Sequence, residues 1–151
     1  MNLFVNFHNA DAAVVFIARM FLGLLFFFQG YDAVFRIKIS GVIEAIKFPL
    51  VAKGVPKFII ISGAYFTSYV ELICGFLLII GFIKYYALYL LGIDLLFAAF
   101  AFGIIKPMWD MQFVFPRLLL LIFLLLFPAY SDVLSVDYHW SLFKFINSLN
   151  N

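Results

Sequence analysis

The chain has 151 residues, 67% of them hydrophobic and only 12% charged, with a formal net charge of +2 at pH 7. Soluble domains are nearer about 45–50% apolar, so a mean hydropathy of +1.14 excludes a water-soluble single core. The small net charge, with no basic stripe on a soluble segment, excludes nucleic acid as a partner.

Residues 1–9 form a short mixed lead-in. Asn9 or Asp11 is the expected N-cap, and the first span runs from about Ala12 to Phe35. Crossing about 30 Å of hydrocarbon takes about 20 helical residues, and Ala12 to Phe28 is interrupted only by Arg19. The Gln29–Gly30–Tyr31–Asp32 end reaches the far interface. Arg19 is also the first basic residue, so the basic leader of a cleavable signal peptide is missing and the first helix is expected to remain as an anchor.

Residues 36–57 form a basic loop carrying Arg36, Lys38, Lys47, Lys53 and Lys57 against Glu44 alone, with Pro49 and Pro56 as breakers. Gly41 to Phe48 mixes apolar and polar positions as a surface helix does. The second span is expected over 58–82 and the third over 85–105. Only Ile83–Lys84 separates them, which predicts a tight antiparallel hairpin. Lys106–Pro107 should end the third helix, since the residue before proline is biased away from helix. The fourth span covers 113–130, with Pro116 in its first turns, where proline is tolerated, and Pro128 near its end. In the tail, 131–151, Leu142, Ile146 and Leu149 share a helical face, and Tyr138, His139 and Trp140 suit a membrane interface. The reading is an all-α membrane protein: an antiparallel bundle of four transmembrane helices with interfacial amphipathic segments.

Arg19, Glu71, Asp94 and Arg117 all lie inside spans. A charge at the bilayer centre costs at least about 2.5–3.5 kcal/mol, and two acids with two bases can offset that cost by pairing. On the second span Ala64, Thr67, Ser68, Glu71, Cys74 and Gly75 recur at three- and four-residue intervals, forming a stripe of small and polar residues. Asp94 shares a face with Ala87, Ala98 and Ala101, and Arg19 with Gly23 and Gly30, whereas Arg117 lines up with bulky Phe113, Leu121 and Leu124. Helix rise puts Glu71 and Asp94 about 15–18 Å from the side holding the short turn and Arg19 about 12 Å. Arg117 lies toward the other side.

The expected polar cluster or ligand cavity is therefore Arg19, Glu71, Asp94 and Arg117, joined by Gln29, Asp32, Thr67 and Ser68, with Arg19 and Glu71 in contact or in one cavity. Two readings stand side by side: charges that pair to fix helix register, or a cavity for a polar headgroup, a quinone or a proton.

Cys74 is the only cysteine, which excludes an intrachain disulfide, a CxxC pair and a thiolate-rich metal site. It reads as a small packing residue. His8 and His139 both lie near the termini, so neither haem nor metal ligation between helices is expected. No GxSxG, HExxH, Walker or GxGxxG pattern occurs.

The run Ala18-Arg19-Met20-Phe21-Leu22-Gly23, followed by Gln29-Gly30-Tyr31-Asp32, resembles the opening signature of the DoxX family. Glu71-Leu72-Ile73-Cys74-Gly75-Phe76-Leu77-Leu78 is similar to its glutamate-x-x-x-glycine-x-x-leucine stretch, and Leu134-Ser135-Val136-Asp137 to its Ser-Leu-Asp closing motif. The chain departs from the pattern near the start of the fourth span, where many members carry an acid and this one has Arg117.

The resemblance implies a four-helix bundle in a bacterial cytoplasmic (inner) membrane. It also implies membership of a larger complex, with respiratory or quinone-dependent redox associations. Expected partners are lipids and other membrane subunits, quinone is the one cofactor candidate, and no catalysis is expected from this chain alone. The alternatives are a non-catalytic assembly subunit of another envelope machine and a small-solute or lipid transporter. With so few spans and no clear inverted repeat, transport by a single chain is the weaker of these. Charge bias alone puts both termini outside the cytoplasm, while the resemblance favours termini inside. The two signals oppose each other.

Overall fold

In hydrocarbon no water is present to bond exposed amides, so a chain this apolar must satisfy its backbone within helices. The computed structural model, which describes residues 2–105, 111–128 and 131–149, contains no strand among those residues. The protein is an all-α membrane protein.

Helix α1 (Asn2–Tyr31) is continuous from Asn2, so neither Asn9 nor Asp11 caps it. No proline or glycine interrupts residues 2–22, and extending an existing helix adds one hydrogen bond per residue fixed. A π-helical turn, Asp32–Arg36, follows, closed by the Ile37 N–H donating to the Asp32 carbonyl at 2.8 Å. Lys38, at φ 64°, then redirects the chain into α2 (Lys38–Ala52).

The basic loop is thus mostly helix, and α2 runs through Pro49 rather than breaking before it. Proline's missing N–H frees only the carbonyl of Ala45, and Ala45 is exposed, where polar surroundings can satisfy it. Gly54 (φ 87°) ends this helix, and Pro56 leads into α3 (Lys57–Ile80).

Helix α3 is joined to α4 (Lys84–Ile105) by the expected tight hairpin. Gly81, at φ 70°, closes α3, with Gly81 N–H on the Leu78 carbonyl and Phe82 N–H on that of Leu77. This is the paired-bond ending that glycine permits. Helix α5 (Met111–Leu126) returns antiparallel to α4, and α6 (Val136–Leu149) forms the tail. The predicted stops at Lys106–Pro107 and at Tyr130 lie outside the described residues.

Small residues decide the closest packing. A Cβ on Gly75 would lie 2.8 Å from the Phe27 Cα, and one on Gly30 would lie 2.6 Å from the Leu72 Cα. Only glycine lets α1 and α3 touch backbone to backbone there, as membrane helix interfaces commonly do. Around that seam Val15, Leu22 and Phe26 of α1 meet Cys74 and Leu78 of α3, Leu88, Leu91 and Leu95 of α4, and Leu121 and Leu124 of α5. Cys74 packs as the small core residue its position implied.

Three described segments, Ala10–Arg36, Lys57–Ile80 and Lys84–Ile105, are long and apolar enough to cross a membrane. Helix α5 is shorter: its 16 residues span about 24 Å.

Candidate functional site

The buried charges fall into two groups, not one. The first lies where α3 hands over to α4. Arg19, fully buried, donates from its guanidinium to the Leu78 and Ile79 carbonyls, to the Leu134 carbonyl at 3.1 Å, and through Nε to Asp132 at 3.3 Å. The last carbonyls of a helix have no partner within it and carry partial negative charge. Arg19 supplies both a donor and a positive charge there.

Lys84 Nζ is 3.2 Å from Asp132 Oδ2, an ion pair by distance though not aligned as a hydrogen bond. Asp137 then accepts from the N–H groups of Ile83 and Lys84, both at 2.9 Å. A carboxylate at a helix N-terminus meets exposed donors and the positive end of the dipole.

Ser135 completes this corner. Its hydroxyl donates to the Asp132 carbonyl at 2.7 Å and accepts from the Tyr138 N–H, starting α6. Its Cβ leaves no room for a side chain at Gly81, where a Cβ would come within 2.7 Å of it. Two bases (Arg19, Lys84) and two acids (Asp132, Asp137) make the corner neutral. The Leu78 and Ile79 carbonyls at the end of α3 and the Ile83 and Lys84 N–H groups at the start of α4 all find partners there.

Arg19 and Glu71, expected in contact or in one cavity, form no ion pair with each other among the described residues. Arg19 points to the α3 C-terminus and Asp132, because the free carbonyls and the carboxylate there offer more acceptors than a single glutamate does.

The second group sits deeper. Glu71 and Asp94, 3% and 1% exposed, are electrostatic neighbours across the α3–α4 seam, with the half-buried Arg117 of α5 acting on both. Arg117 also lies over the Phe26 ring at 5.8 Å. Thr67 lies beside the Asp94 carboxyl but outside hydrogen-bond alignment, and neither Asp94 oxygen has a hydrogen-bond partner among the described residues. Leu95, the next residue of α4, lines an open apolar groove of about 370 Å³ between α4 and α5, with Leu96, Ala99, Val114 and Leu118 among its other walls.

Three further expected members stand elsewhere. Ser68 donates to the Ala64 carbonyl of its own helix at 2.7 Å and is satisfied there. Asp32 pairs with Arg36 at 3.5 Å on the surface, one turn away, so it does not belong to the buried cluster. Gln29 is half-buried on α1, toward the opposite membrane side from Arg19. Lys84 and Asp132 were missed. Lys84 sits in a two-residue turn that reads as solvent-facing, and Asp132 in an irregular segment where no periodicity marks a buried face. No group of three or more metal-ligating side chains occurs among the described residues.

The family model described as DoxX matches residues 14–104. The match takes in Arg19, Glu71, Lys84 and Asp94 and ends before Arg117, Asp132 and the Ser135–Asp137 segment. No curated protein and no solved structure matches the chain.

Proposed function

This chain belongs to the DoxX family, and from that premise we propose that it is a multi-pass subunit of a larger complex in a bacterial inner membrane, presenting a polar site to a quinone headgroup. The observation that carries the reading is Asp94. A buried carboxylate whose two oxygens have no hydrogen-bond partner among the described residues is expensive in any protein and more so at bilayer depth. Thr67 and Asp94 offer a donor and acceptors, Arg117 offers a fixed positive charge, and the α4–α5 groove offers an apolar approach from the lipid. A quinone's carbonyl oxygens would accept from Thr67 and Arg117, and the hydroxyls of its reduced quinol form would donate to Asp94.

Electrons would come from a partner. Electron transfer needs a bound cofactor or a redox-active residue pair, and this sequence has one cysteine and no histidine in its spans. The subunit reading also rests on the outer surface, where Phe21, Phe97, Phe100 and Phe115 are all more than half exposed. Such a face suits lipid and neighbouring membrane helices alike. It equally favours a purely scaffolding subunit, and the same experiment separates the two.

Helix α5 is read as the fourth span. Asp132, just past it, pairs with Lys84, the first residue of α4. That pairing supports a fourth crossing, antiparallel to α4.

The test is gentle purification from the native membrane, with bound subunits and lipophilic cofactors identified. Oxidoreductase subunits and quinone retained by the complex, with quinone lost in Asp94→Asn, support the proposal. An envelope machine without quinone favours the scaffold. A partner-free chain that reduced quinone from a soluble donor would overturn the subunit reading.

A further inference from the structure

The side of the membrane opposite the Arg19–Asp132 corner carries a different kind of feature. Between α2 and the start of α3 lies an open groove of about 330 Å³, lined by Glu44, Lys47, Phe48, Val51, Ala52 and Lys57. We propose that this groove holds the headgroup and upper glycerol region of an anionic phospholipid, a phosphodiester with one negative charge and neutral hydroxyls beyond it, as in phosphatidylglycerol.

Position comes first. Lys57 is the first residue of α3, a membrane-spanning helix, so it stands at the boundary between hydrocarbon and headgroups. Long basic side chains at helix ends lay their stems on apolar surface and reach for that boundary. Helix α2 enters the same zone directly from the π-helical turn that ends the first span.

Charge comes second. Two lysines and one glutamate leave the groove at +1, matched by a single phosphodiester. Among the described residues the ion pairs join Arg19 and Lys84 to Asp132 and Arg36 to Asp32, and none engages Lys47 or Lys57. Glu44 is a hydrogen-bond acceptor with no basic partner in those pairs, and a glycerol headgroup brings hydroxyl donors to it.

The apolar wall comes third. Phe48 is 84% exposed, next in sequence to Lys47, and Val51 lies one turn on in the same groove. An aromatic ring left this bare beside a cation is a poor surface for water and a good one for the first methylenes of an acyl chain. A zwitterionic choline headgroup offers the phosphate but brings a bulky cation toward the lysines and no donor for Glu44. Lys53 is exposed on the same side but does not line the groove, and so serves as the control.

The experiment uses the full-length protein, stripped of lipid in detergent and presented with equal amounts of phosphatidylglycerol, phosphatidylethanolamine and phosphatidylcholine, with bound lipid read by native mass spectrometry. Phosphatidylglycerol should be retained over both others. Lys47→Gln and Lys57→Gln should each weaken retention roughly fivefold, the share of one basic residue at an anionic surface, while Lys53→Gln leaves it unchanged. Equal retention of the three lipids by the unaltered protein overturns the proposal without any variant. A preference for the ethanolamine lipid, a loss in Lys53→Gln equal to that in Lys57→Gln (a diffuse field), or an acidic protein subunit occupying this face would each overturn it as well.

Discussion

Asp132 and Asp94 are both buried aspartates in one small bundle, yet they should respond in opposite ways to loss of charge. Asp132 lies against two cations, Arg19 and Lys84, both themselves buried. Asp132→Asn removes the carboxylate that both cations contact, and removing one partner from a buried pair costs roughly 3–5 kcal/mol. We expect the variant to accumulate poorly and to lose its thermal transition in detergent, readable by a fluorescence size-exclusion melt. Neither Asp94 oxygen has an aligned hydrogen-bond partner among the described residues to lose. Asp94→Asn should keep wild-type accumulation and melting, or exceed them, while losing bound quinone from the native complex. Equal destabilisation by the two variants would mean that Asp94 is structural and that the ligand reading is wrong. The sequence showed Glu71 and Asp94 to share a depth and an inward face, because helical spacing fixes both. It did not show the partner of Arg19, since periodicity says which way a side chain points and not which chain end lies opposite.

At the scale of elements, the seam between α1 and α3 and the turn between α3 and α4 are held by shape as much as by charge. Gly75 and Gly30 are places where a Cβ has no volume to occupy against the facing backbone. Gly75→Val should separate α1 from α3, and overpacking of this kind costs typically about 1–3 kcal/mol, more where backbone must move. Gly81 combines two demands, a left-handed φ of 70° and contact with Ser135 and Arg19. Gly81→Ala should therefore lose about 1–2 kcal/mol to backbone strain alone, plus the displacement of the closing segment. Loss of protection at the α3–α4 turn and at residues 135–138 together, in hydrogen exchange, is the expected signature. Protection lost at the turn alone would show that the closing segment is held independently. The hairpin was legible because two residues cannot join two spans any other way. The path of α2 was not, because whether a helix passes through Pro49 depends on whether Ala45 can leave its carbonyl to polar surroundings, a tertiary fact.

For the whole molecule, the number of crossings decides what the bundle can be. Three described segments are long and apolar enough to cross, whereas α5 is about 6 Å short of a typical hydrocarbon core. Short spans are accommodated when the bilayer thins or flanking residues extend the apolar stretch, at fractions of a kcal/mol per ångström. Phe127 and Pro128 continue the apolar run past Leu126, and the Tyr85 hydroxyl donates to the Phe127 carbonyl at 3.1 Å, tying the end of α5 to the start of α4. The proposed fourth crossing accounts for α5 ending beside the start of α4. Single cysteines at Lys53, Gln112 and Ser141, in a Cys74→Ser background, should report this with a membrane-impermeant thiol reagent on sealed vesicles. Lys53 and Gln112 should label from one side and Ser141 from the other. Labelling of Gln112 and Ser141 from the same side would reduce the bundle to three crossings. It would also leave the buried Arg19, with Asp132 as its main counter-charge, without the closing segment that completes its corner.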